Sequence, residues 1–179
     1  CVGIIMLARP QFGTKVETVE KEGIELVIAI DVSNSMLAED VSPNRLERAK
    51  QILSRLIDVR ANDKVGLIVF AGEAYIQMPL TSDTQSAKIF LNTIDPSLVP
   101  IQGTAIGQAI SLGMSSFSSD QEVSKAMIII TDGEDHEGNA AGIAADAAKA
   151  GIQINIIGIG SPDGSPLPSN EYGSNFMTD

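Results

Sequence analysis

Four runs of apolar residues break the polar background of the chain, at 24–30, 65–70, 126–130 and 152–159. Three are rich in Ile and Val and lack polar alternation, the pattern of parallel strands buried on both faces. Between them, apolar positions recur at helical spacing. Ser42 and Pro43 read as the N-cap and first position of a helix, with a stripe of Leu46, Ala49, Leu53, Leu56 and Ile57. A second helix is predicted from about Ser82 and Asp83, with Ala87, Phe90, Leu91 and Ile94 on one face, ending before Pro96. A third begins near Thr104 and carries Ile106, Ala109, Ile110, Gly113 and Phe117; its small residues let it lie close on a sheet. The fourth, Ala-rich, covers about 139–150, with Gly151 as its C-terminal cap. The stretch EAYIQMP, residues 73–79, follows the second run after a Gly-containing turn and predicts a short antiparallel edge strand.

The resulting order, β-α-β-β-α-α-β-α-β, predicts an open, mostly parallel α/β sheet with helices on both faces and one antiparallel edge strand. Such sheets bind ligands beyond the carboxyl ends of their strands, where the strand order reverses. Residues 161–179, rich in Pro, Gly, Ser and Asn, read as loop, so the C-terminal part of such a fold is expected to be incomplete. At the other end, CVGIIMLA, residues 1–8, is nearly all apolar and gives way to Arg9-Pro10-Gln11. Spanning a bilayer takes about 20 residues. The segment is therefore the trailing end of a transmembrane helix or a short buried arm, and the abrupt Arg-Pro favours the first. No cleavable signal peptide is legible. Residues 9–21 then form a connecting segment to one domain over 22–179.

Composition narrows the partners. The 179 residues are 44% hydrophobic, with 16 glycines and 8 prolines, which is globular usage. Aromatics amount to 4%, so the core must be aliphatic. The net charge of −11 disfavours nucleic acid and anionic lipid and is compatible with binding a cation. The single cysteine, Cys1, excludes an internal disulfide.

The candidate chemistry sits where the first apolar run stops. In LVIAIDVSNSM, residues 26–36, oxygen-bearing side chains follow at every second position: Asp31, Ser33 and Ser35. Two more features belong to the same sheet edge if the topology holds. The run at 126–130 ends in Thr131, Asp132 and Gly133, and Thr104 lies in the loop entering the third helix. Hard oxygen donors without His or thiolate suit Mg²⁺, Mn²⁺ or Ca²⁺ rather than zinc. Because hydroxyls are neutral ligands, a cation held by Ser33, Ser35 and Thr104 keeps much of its charge. It could then accept a carboxylate from another protein.

Taken together, DVSNS, Thr104 in GTAIG and Asp132 in TDGED resemble the metal-ion-dependent adhesion site of von Willebrand factor A domains. The resemblance covers roughly residues 22–160. It implies a doubly wound, Rossmann-like sheet, a site of Asp31, Ser33, Ser35, Thr104 and Asp132, and Mg²⁺ as the ion, with Mn²⁺ its substitute and Ca²⁺ behind both. It also implies a protein partner donating Glu or Asp, and no catalytic residue. More narrowly, LARPQFG, DVSNSMLAEDVSPNRLERAK and LTSDTQSAKIFLNTI are similar to bacterial membrane-anchored proteins of the aerotolerance-operon (Bat) type. That similarity implies a domain at the bacterial inner membrane, facing the periplasm, in company with other membrane-complex subunits.

Other readings are weighed on the same residues. A Mg²⁺-dependent phosphotransferase or phosphatase could use Asp31 as phosphoacceptor, but Ser33 stands where a second Asp is usual, and Lys125 is at the wrong end of its strand. DVSNSMLAEDVS is not an EF-hand loop, because Met36 and Ser42 occupy the Gly and bidentate Glu positions. GIGSPDG, 158–164, ends a strand and opens no helix, so a dinucleotide is not expected. His136, without a nucleophile elbow, reads as a loop residue. Glu39 and Asp40 read as solvated charges near a helix start. Glu134, Asp135 and Glu137 read as a solvated acidic loop, with an acidic rim beside Asp132 as the functional alternative. Tyr75 and Met78 read as edge or core packing, with a partner-facing role as the alternative.

Overall fold

A computed structural model describes residues 23–133 and 139–160. The expectations for the N-terminal segment, for Glu134, Asp135, His136 and Glu137, and for the tail from 161 lie outside the described residues. Five strands form one sheet in the order β3-β2-β1-β4-β5. They are β1 (Glu25–Asp31), β2 (Lys64–Phe70), β3 (Ala74–Thr81), β4 (Lys125–Thr131) and β5 (Ile152–Gly158). All neighbours run parallel except β2 and β3, which are antiparallel. The predicted sheet, with its antiparallel edge strand, is the one observed. Four helices join the strands: α1 (Arg45–Val59), α2 (Thr84–Asn92), α3 (Ile106–Ser116) and α4 (Ala140–Lys149).

The core lies on both faces of the sheet. On one side Ile28, Ile30, Leu67 and Val69 pack under Leu46, Leu53 and Ile57 of α1 and Ala87 and Leu91 of α2. On the other, Val27, Ala29, Phe70, Met127 and Ile129 pack under Ile106, Ala109 and Ile110 of α3 and Ala147 of α4. β1 is buried along its whole length, because alternate side chains feed the two layers. The small-residue prediction for α3 has a direct cause: a Cβ on Gly113 would sit 1.5 Å from Met127 Cε and 3.6 Å from Val27.

Several sequence expectations change in detail. α1 is capped by Asn44, whose side chain accepts from Glu47 N at 2.8 Å, so Ser42 and Pro43 precede the helix instead of opening it. α2 starts as expected, after the Asp83 cap, but stops at Asn92. Asp95 then caps a separate 3-10 turn, Pro96–Leu98. Ile94 is buried from outside the helix, whereas Phe90 is 41% exposed and does not share the core face. Gly151 ends α4 at φ +78°, where a side chain would be strained. Met78 is buried and Tyr75 partly exposed. Along β5, Ile156 and Ile157 are exposed. Asp40 is not a solvated charge: its side chain is 4% exposed and ion-paired.

Candidate functional site

β1 and β4 lie side by side at the centre, and the chain leaves β1 toward β2 on one flank while β4 closes the other. The strand order reverses there, and the carboxyl ends of both strands face one crevice. Asp31 is the last residue of β1, and Asp132 follows the last residue of β4.

Asp31 is fully buried. Its Oδ1 accepts from Ser33 N at 2.8 Å, and its Oδ2 accepts from the Thr131 hydroxyl at 2.6 Å. Thr131 Oγ1 in turn accepts from Gly133 N at 3.1 Å, which curls the loop after β4 back toward β1. Among the described residues no Lys or Arg forms an ion pair with Asp31. Burial lifts its pKa above the ordinary 3.8; hydrogen bonds from Ser33 and Thr131 oppose that rise and the nearby charge of Asp132 adds to it.

A 3-10 turn, Asn34–Leu37, follows β1 and is pinned from inside by buried Met36. It brings the two serine hydroxyls to 2.9 Å from each other. Ser35 donates to Asp132 Oδ1 at 2.8 Å. A hydroxyl has one proton, so with Ser35's committed to the carboxylate, Ser33 is the donor in the Ser33–Ser35 contact. Ser33 Oγ therefore keeps both acceptor positions and Ser35 Oγ keeps one. Asp31, Ser33, Ser35 and Asp132 thus form a continuous hydrogen-bonded series across the ends of two strands.

Thr104 arrives from a third loop. That loop is tied to the end of β2, with Gly72 N donating to Ile101 O at 2.8 Å and Ala105 N to Ala71 O at 2.7 Å. It is tied to the serine turn as well, through Asn34 N to Gln102 Oε1 at 2.9 Å. A Cβ on Gly133 would meet Thr104 Oγ1 at 3.1 Å, so glycine there lets Thr104 close on the loop of Asp132. All five sequence-selected residues stand at this one edge of the sheet. Among the described residues no group of three or more His, Cys, Asp or Glu is placed to hold a metal.

Sequence reasoning missed Arg45. Its guanidinium donates to both oxygens of Asp40, at 2.8 and 2.7 Å, and to Asp132 Oδ2 at 2.5 Å. Hydrogen bonds to Asp40 raise the Arg45 pKa against the cost of burial, and Asp132 adds to the rise. Lys125 starts β4 at the far end of the sheet, where it donates to Ser118 O at 2.6 Å. Among the described residues Arg45 is thus a cation at the crevice, and it is engaged by two carboxylates. Its one sequence signal is its place in the first turn of an amphipathic helix, which is equally that of a surface residue.

Comparison with known proteins gives three relevant relatives. The von Willebrand factor type A domain matches residues 26–134. BatB from Bacteroides thetaiotaomicron is 55% identical, over 85% of this chain and 74% of that one, with a TM-score of 0.81. An aerotolerance-related membrane protein from Bacteroides fragilis is 54% identical, over 88% of this chain and 77% of that one, with a TM-score of 0.79. A UPF0353 protein of Mycolicibacterium paratuberculosis is 33% identical over 78% of this chain. The chain spans about half the length of the curated relatives it matches, 48% and 45% of the first two.

Proposed function

The chain belongs to the von Willebrand factor type A domain family, and from that premise we propose that it is a metal-dependent protein-binding module. Asp31, Ser33, Ser35, Thr104 and Asp132 would hold a divalent cation, Mg²⁺ or Mn²⁺. The bound ion supplies a Lewis-acidic position for a Glu or Asp side chain of a partner protein. The observation that carries this reading is Asp31: a fully buried carboxylate with no cationic partner among the described residues, next to two hydroxyls with acceptor positions to spare. An isolated buried charge is costly, and a cation against Asp31 removes that cost. Oxygen-only donors fit a hard ion.

The chain's own residues favour binding over turnover. Both Asp31 oxygens accept hydrogen bonds that fix the carboxylate in place, and the lysine that phosphoryl transfer wants lies at the other end of the sheet. The named relatives include a membrane protein. With residues 1–8 as the end of a membrane-spanning segment, residues 9–21 as connector and 22–179 as the domain, the module would face the periplasm beside other membrane-complex subunits. Among the described residues no helix is long and apolar enough to cross a membrane.

Calorimetric titration of the chain with Mg²⁺ and Mn²⁺ tests the proposal. One equivalent of ion is expected to bind, and Asp31→Asn is expected to bind far more weakly. Failure of the wild-type chain to bind either ion at millimolar concentration would remove the metal site. Release of phosphate from a phosphate ester with Mg²⁺, lost in Asp31→Asn, would replace the binding reading with an enzymatic one.

A further inference from the structure

Both oxygens of Asp132 are engaged, one of them by a cation. Oδ1 accepts from Ser35, Oδ2 accepts from Arg45, and the side chain is 1% exposed. Arg45 is itself held from three directions. Asp40 takes its fork at both oxygens. Asp132 takes the remaining amino group. The backbone beyond β5 closes over the guanidinium, since a Cβ on Gly160 would lie 3.3 Å from Arg45 Cζ. A planar, delocalised cation bridging two carboxylates in this way is a rigid strut.

We propose that Arg45 is a positioning residue that holds Asp132 back from direct metal coordination, so that the bound ion keeps an open position and more of its charge for the partner's carboxylate. This rests on the metal-site reading above and goes beyond it by naming what tunes the site. Two effects act in the same direction. The strut holds Oδ2 on the Arg45 guanidinium, and the positive charge opposes a second cation nearby. Arg45 thereby lowers affinity for the ion and raises the ion's appetite for an external anion. Asp132 acts on the ion through Ser35, whose hydroxyl it orients.

The test uses Mn²⁺, whose bound water is read by water-proton relaxation. In Arg45→Met, Mn²⁺ is expected to bind about tenfold tighter because a nearby positive charge is removed, with lower relaxivity because a carboxylate oxygen replaces water. Acetate, which should lower relaxivity in the wild type by displacing water, should do so less in the variant. Adding Asp132→Asn should abolish the tightening, because the gain depends on that carboxylate. A purely structural arginine would lower the metal-free melting temperature without tightening Mn²⁺. Unchanged or weaker Mn²⁺ binding in a folded Arg45→Met would therefore overturn the proposal. Should that variant not fold, Arg45→Lys keeps the charge but cannot fork Asp40 and reach Asp132 together, and a smaller change of the same sign is expected; no change there overturns it equally. If the wild-type chain binds no Mn²⁺, the metal site itself falls, a separate result.

Discussion

At the scale of single residues, what distinguishes Ser33 from an ordinary turn serine is the direction of its proton. It donates to Ser35, which donates to Asp132, and this leaves both Ser33 acceptor positions unused by that series. Ser33→Ala is expected to weaken Mn²⁺ binding at least about tenfold. The fold should stay intact, because the Ser33 amide that bonds Asp31 is unaffected by the substitution; unchanged titration would remove Ser33 from the site. Asp31 gives the site a pH dependence. Its pKa is raised in the fold, chiefly by burial, so protons and metal compete for it in a window above the ordinary aspartate value. Metal affinity should be full above that raised pKa and fall as pH drops through it. Without metal the sign reverses for stability. The folded state binds the proton more tightly, so stability declines as pH rises from the unfolded pKa through the folded one. Mn²⁺ titrations and urea melts across that range check both signs. The spacing of Asp31, Ser33 and Ser35 was legible in the sequence because both termini of the motif lie within five residues. Arg45 and Asp40 were not, because nothing local separates an arginine in a helix's first turn from a solvated one.

At the scale of elements, short-range signals located the strands and helices but misplaced some ends. The N-cap of α1 is Asn44, two residues past the expected Ser42, since the residue that caps is the one whose oxygen meets the free amide at Glu47. Asn44→Ala is expected to cost about 1 kcal/mol in urea denaturation, and it should loosen Arg45, the next residue. The loop from α2 to α3 matters more for the site. A Cβ on Gly72 would stand 2.7 Å from Gln102 O and 2.9 Å from Ile101 O, both backbone atoms that cannot turn aside. Gly72→Ala is therefore expected to displace the Thr104 loop, lowering stability by about 1–3 kcal/mol and weakening Mn²⁺ binding. Loss of stability with unchanged metal affinity would separate Thr104 from the site. The sequence marked Gly72 only as part of a turn, because the atoms it makes room for are about 30 residues away.

At the scale of the whole molecule, a ligand bound only by the folded state stabilises all of it. Mg²⁺ at about a hundred times its Kd should add about 2.7 kcal/mol, a melting-temperature rise of roughly 5–10 °C for a chain of this size. Calorimetry with Mg²⁺ and with EDTA measures the difference, and its absence would count against the site. The sheet that makes such coupling possible was readable in advance. Runs of Ile and Val without alternation have few stable arrangements other than a parallel sheet covered on both faces, and a strand following β2 by a short turn must return antiparallel. The sequence by itself therefore determined the fold class, the edge strand and the alternate placing of Asp31, Ser33 and Ser35, since each follows from periodicity, turn length or local spacing. Only the tertiary structure decided which hydroxyls and carboxylates meet, that Thr104 closes against Gly133, and that Arg45 braces Asp132 against Asp40. These depend on contacts between segments up to about a hundred residues apart, and packing in three dimensions, which no local pattern encodes, fixes their geometry.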